Sequence, residues 1–141
     1  HNLRLRYLFI AIPLWLIVDF GTAGGFNPLY LAENPHVLLF AVLYPLFFAY
    51  LIFNRNWSEH KLFSATFMAM FFIEGVLTGN PFVLAFPLLI IGIPLAMCIY
   101  TPLTFFPLWI VNREMGKRWK VVIALSIVVV VVMILSASGG Y

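Results

Sequence analysis

Five apolar runs alternate with short polar stretches along the chain. They cover about residues 7–26, 37–53, 62–78, 82–111 and 121–138. A helix needs about 20 apolar residues to cross a hydrocarbon core of roughly 30 Å. Inside lipid the backbone finds no water to bond, so each run is predicted to be helical. That includes the valines Val128–Val132, which in water would suit a strand. The fourth run is too long for one simple crossing, since thirty helical residues would reach about 45 Å. It also holds Pro87, Pro94, Pro102 and Pro107, and proline kinks or ends a helix. The expectation is a kinked helix over 82–100, a break near Thr101-Pro102, and an extension to 111 lying near the interface. A discontinuous helix lining a cavity is the alternative.

Composition supports the same picture. Of 141 residues, 64% are hydrophobic and 9% charged, against roughly half and a quarter in soluble domains. A soluble fold of this size could not hide that much apolar surface, and disorder requires the opposite balance. The predicted class is an all-α integral membrane protein, one transmembrane domain over 1–141 with five helices. Charge then orients it. Arg4 and Arg6 precede the first run, Arg55 and Lys61 lie between the second and third, and Arg113, Lys117, Arg118 and Lys120 lie between the fourth and fifth. With five crossings these fall on one side, which places the N-terminus in the cytoplasm and the C-terminus outside. Trp57, Trp109 and Trp119 beside these clusters suit an interfacial belt. The net charge of +3 is explained by orientation and implies no nucleic-acid partner. The expected location is the plasma membrane of a prokaryote. No signal-peptide cleavage pattern is visible, and because the chain opens on His1, a missing leader stays open.

Two stretches repeat each other. Asp19 is followed by Gly21-x-x-x-Gly25 and Asn27-Pro28, and Glu74 by Gly75-x-x-x-Gly79 and Asn80-Pro81. Asn34-Pro35-His36-Val37-Leu38-Leu39-Phe40 also matches Asn80-Pro81-Phe82-Val83-Leu84-Ala85-Phe86 as Asn-Pro-x-Val-Leu-x-Phe. These matches suggest a parallel repeat of two helical hairpins plus a fifth helix. The glycines Gly21, Gly25, Gly75 and Gly79 are expected to let helices one and three approach closely.

The candidate chemistry is sparse. Asp19 and Glu74 each lie twelve residues past the start of their run, about 18 Å along a helix. A charge at a helix centre costs roughly 2.5–3.5 kcal/mol on insertion scales, and less toward the boundary. No basic residue is predicted at that depth. The acids must be protonated, face water, bind a cation, or receive hydrogen bonds from Thr22, Thr78, Asn27, Asn80 or a tyrosine. One reading is a proton or cation site at Asp19, Glu74, Thr22, Thr78 and Asn80. The others are hydrogen-bond glue between helices and simple wetting at the interface. Cys98 reads as a small core hydrophobe. His36 and His60 fall on opposite sides, so no metal spacing and no cofactor is predicted. No nucleophile, phosphate-loop or protease motif occurs, which points away from catalysis. Arg113, Lys117, Arg118 and Lys120 could meet anionic headgroups, although orientation explains them as well.

The first hairpin resembles a group of small prokaryotic multi-pass membrane proteins of unknown function. That group carries Asp-x-x-Thr in its first helix and a Glu-x-Asn-Pro loop. The matching residues here are Asp19, Thr22, Glu33, Asn34 and Pro35, with Glu33 directly beside Asn34. The resemblance implies several membrane helices and no activity. Two functions therefore stand at this level. The first is a non-catalytic accessory subunit of a larger membrane complex, supported by short loops and missing motifs. The second is a small oligomeric transporter or channel using Asp19 and Glu74. Expected partners are the lipid bilayer and other membrane subunits or further copies of the chain.

Overall fold

The computed structural model describes residues 2–22, 26–111 and 115–138. All regular structure among them is helical. In chain order the elements are α1 (Asn2–Thr22), α2 (Pro28–Glu33), α3 (His36–Ala49), α4 (Glu59–Met70), α5 (Pro81–Leu84), α6 (Leu89–Ile110) and α7 (Lys117–Ser138). Two of them widen at their ends into π-helix, α3 over Tyr50–Asn54 and α4 over Phe71–Leu77. Four stretches are long and apolar enough to cross a membrane: His36–Asn54, Glu59–Leu77, Leu89–Ile110 and Lys117–Ser136.

Local chemistry explains the helix starts. Ser58 caps α4, its hydroxyl accepting from Lys61 N–H at 3.5 Å, with Glu59 in the first turn. Asn27 caps α2 and Asn80 caps α5, each side-chain oxygen accepting a backbone N–H at 3.0 Å. A proline follows each cap at the first helical position, where its missing N–H costs nothing.

Helix α6 is the centre of the bundle, packing on α1, α4, α5 and α7. Its buried residues include Gly92, Ala96, Tyr100, Thr104 and Leu108, a stripe spaced by four. The break expected near Thr101-Pro102 is absent. The helix runs continuously through Pro94, Pro102 and Pro107, and the interruption falls earlier, between α5 and α6 around the cis Phe86–Pro87 peptide. Residues 101–105 are buried rather than interfacial. Neighbouring helices enclose this segment, and that is the setting in which a helix in lipid tolerates proline. The first helix also ends before Phe26, which sits in a turn at φ 60°.

Side-chain contacts gather several basic segments at one end. Arg4 donates to the Asn54 side-chain oxygen, and the Tyr7 and Phe53 rings meet edge-on. Trp119 stacks on Phe105 at 5.4 Å and also meets His60. The Lys61 ammonium sits over the Trp57 ring at 5.9 Å. Lys117 and Arg118 are exposed and Lys120 half-buried, while Arg113 lies outside the described residues. The outer faces are apolar: Leu125, Val128, Val131, Val132 and Leu135 of α7 are exposed, while Val130 turns inward.

Gly21, Gly75 and Gly79 do not join helices one and three. A methyl group on Gly21 would meet Ile134 of α7, and one on Gly75 would meet Leu84 of α5. Gly79 occupies φ +65° with open space around it, so it serves the turn. Gly25 lies outside the described residues. The close approach that the sequence did not reveal is at Gly92, where a Cβ would collide with the Phe82 carbonyl. This glycine allows α5 to lie against α6.

Candidate functional site

Asp19 leaves α1 three residues before its end, and Glu74 sits inside the widened segment that closes α4. π-Helical turns occur often at functional sites. Both acids are half-buried, and both line the same two adjoining cavities, of about 650 Å³ and about 170 Å³. Trp15 and Tyr100 are also shared by the two. The larger one adds Tyr30, Asn34, His36, Phe40, Thr78 and Asn80. Neither is lined by a lysine or arginine among the described residues.

Each carboxylate has its own neutral donors. The Tyr30 hydroxyl donates to Asp19 Oδ2 at 2.8 Å. The Tyr100 hydroxyl donates to Glu74 Oε2 at 2.8 Å, and Asn80 Nδ2 donates to Glu74 Oε1 at 3.2 Å. The capping bond fixes the Asn80 amide: with its oxygen held by Phe82 N–H, its nitrogen faces Glu74. Burial, and then the bond to Asp19, push the Tyr30 phenol well above its ordinary range. Tyr30 therefore keeps its proton and remains the donor.

The two threonines act differently from the expectation. Thr22 donates to the Val18 carbonyl at 2.7 Å and Thr78 to the Glu74 carbonyl at 2.6 Å. Both line the cavities, but a hydroxyl has one hydrogen and theirs is already engaged by the preceding turn. Asn27 likewise serves as a cap. Of the predicted group, Asn80 bonds Glu74 directly and Asp19 lines the larger cavity with them, while Thr22 and Thr78 contribute only wall. Tyr30, Tyr100 and Asn80 supply the donors.

Trp15 is the exception to full satisfaction. Its side chain is 3% exposed, and its indole N–H is the buried side-chain group without a hydrogen-bond partner among the described residues. It lines both cavities beside the two acids. Among the described residues no three His, Cys, Asp or Glu side chains come close enough to hold a metal ion.

One turn from Tyr100 along α6, Thr104 organises a second polar group, wholly buried. Tyr7 donates to its carbonyl at 2.9 Å. Its hydroxyl lies 2.7 Å from the Tyr44 hydroxyl and 3.0 Å from that of Thr66. Thr66 donates to the Leu62 carbonyl at 2.8 Å. With that hydrogen engaged, Thr104 donates to Thr66 and Tyr44 donates to Thr104. Every hydroxyl hydrogen then has an acceptor, as a dry core requires. Tyr44 joins this group to the cavity, its ring 5.9 Å from Tyr100 and 6.1 Å from Trp15.

Comparison with known proteins returned no family model, no curated sequence and no solved structure that matches the chain.

Proposed function

We propose that the chain is a small multi-pass membrane protein that binds and carries a proton or cation, with Asp19 and Glu74 as its charged pair. One observation carries the reading: two carboxylates line one cavity that has no lysine or arginine on its wall among the described residues. Ionised carboxylates are costly in a low-dielectric setting unless something positive joins them. Tyr30, Tyr100 and Asn80 offset part of that cost as neutral donors. A proton or cation in the cavity supplies the remainder.

The reading includes five crossings, with α1 as the first; its 21 residues make a helix of about 31 Å. It puts the Arg4–Asn54 end in the cytoplasm and the acids toward the outside, as the basic clusters favour. It also includes a parallel repeat. Supporting the repeat, each acid precedes a threonine bonded back to the previous turn and an asparagine capping a proline-led short helix. Asn34-Pro35 lacks such a cap, since the Asn34 amide donates to the Tyr30 carbonyl. The location, a prokaryotic plasma membrane with lipid against the apolar outer faces, belongs to the same proposal.

Reconstitution in liposomes tests it. The parent chain should dissipate an imposed proton or monovalent-cation gradient, and Asp19→Asn and Glu74→Gln should slow it at least roughly tenfold. A parent chain no leakier than empty vesicles under every gradient would end the transport reading. Fixed-stoichiometry purification with other subunits, together with no flux, would replace it with an accessory role.

A further inference from the structure

The larger cavity offers more room and more aromatic surface than a proton or a bare ion uses. Its volume of about 650 Å³ lies within the range of pockets for small organic ligands. Its wall brings together rings of Trp15, Tyr30, Phe40 and Tyr100 beside Asp19 and Glu74. Aromatic faces attract organic cations through the ring quadrupole, most strongly once water is displaced. A metal cation is served poorly here. It wants several oxygen ligands at once, and among the described residues no three His, Cys, Asp or Glu side chains gather to supply them.

The Trp15 indole N–H is the independent observation. It is buried and has no hydrogen-bond partner among the described residues, and its residue lines the cavity. A buried donor without an acceptor is costly, so the position calls for an acceptor atom from outside the chain. Water could satisfy that N–H, but it does not account for an acid pair facing an aromatic wall.

We infer that this cavity binds a small organic ammonium ion that also carries an oxygen acceptor. The ammonium group sits at Asp19 and Glu74, the apolar body lies against the Trp15, Phe40 and Tyr100 rings, and the oxygen accepts from the Trp15 N–H. The inference rests on the cation reading proposed above and names its substrate class.

Three probes of one length separate the contributions, titrated calorimetrically into the full chain in lipid nanodiscs. Acetylcholine has the cation and the acceptor, pentyltrimethylammonium has the cation alone, and 3,3-dimethylbutyl acetate has the acceptor alone. In the parent chain acetylcholine should bind roughly fivefold more tightly than pentyltrimethylammonium, the worth of one ordinary hydrogen bond. The neutral ester should bind at least roughly tenfold more weakly than acetylcholine. Trp15→Phe should erase the first preference and keep the second. The double variant Asp19→Asn/Glu74→Gln should erase the second. The probe series needs only the parent protein, so a variant that fails to fold does not decide the matter.

Equal binding of the ester and acetylcholine would overturn the inference. So would equal binding of the two cations in the parent chain. If neither cation binds while proton or sodium flux persists, the organic-cation assignment falls and the proton or cation reading stands. If the parent chain shows neither flux nor binding, both fall.

Discussion

Tyr100 and Tyr30 show how two acids persist in a bundle with no lysine or arginine on their cavity wall among the described residues. Each lends an O–H to one carboxylate, and the burial of the two differs. Tyr100 is 5% exposed and Tyr30 only half-buried. Tyr100→Phe should therefore cost about 1–3 kcal/mol, because it strips a buried donor from Glu74. Tyr30→Phe should cost less, about 0.5–1.5 kcal/mol. Thermal unfolding in detergent, followed by circular dichroism, compares the two, and equal losses would argue against the burial difference. Thr104→Val should cost about 1–3 kcal/mol by leaving the Tyr44 phenol without its acceptor. Adding Tyr44→Phe should restore part of that loss, since the orphaned group is then gone. At this scale the sequence exposed the acids, because charge inside an apolar run is conspicuous. It did not expose Trp15, Tyr44 or Tyr100. An aromatic ring in such a run suits lipid, interface and core equally well, and only the helix packing decides which.

Among the elements, the short helix α5 sets the position of Glu74 through its cap residue Asn80. Its docking depends on Gly92. Gly92→Ala should force α5 off α6, with a cost of about 1–3 kcal/mol or more from overpacking, and should impair flux as strongly as Glu74→Gln. Gly79→Ala makes a useful comparison. The site is open but its φ is +65°, so the cost should be about 1–2 kcal/mol of backbone strain, with flux largely retained. Stability and liposome flux measured on both variants separate docking from strain. The long helices were legible because four apolar stretches of 19 to 22 residues leave little choice in lipid. The short ones were not. Asn27-Pro28 and Asn80-Pro81 read as a repeated motif, while their role as helix starts depends on backbone angles. Pro102 misled for a related reason: proline breaks an isolated helix, but α6 is held by its neighbours on several sides.

For the whole molecule, the proposed five crossings predict where loops are reached by reagents. In a Cys98→Ala background, Ser58→Cys should label only from the cytoplasmic face and Ala32→Cys only from the outside, using an impermeant maleimide on intact cells. Labelling of both from one face would contradict a single crossing, by α3 and its extension to Asn54, between them. The bundle is tied together mainly through α6, and the spacing along that rod has a geometric consequence. Tyr100 meets Glu74 and Thr104 meets the hydroxyl group one turn below. An extra residue inserted between them would turn one half of the rod by about 100° and lift it about 1.5 Å relative to the other. Either half could then be seated, but not both. The rod acts as a ruler, and the acid end and the hydroxyl end of the bundle are two marks on it that cannot be read independently.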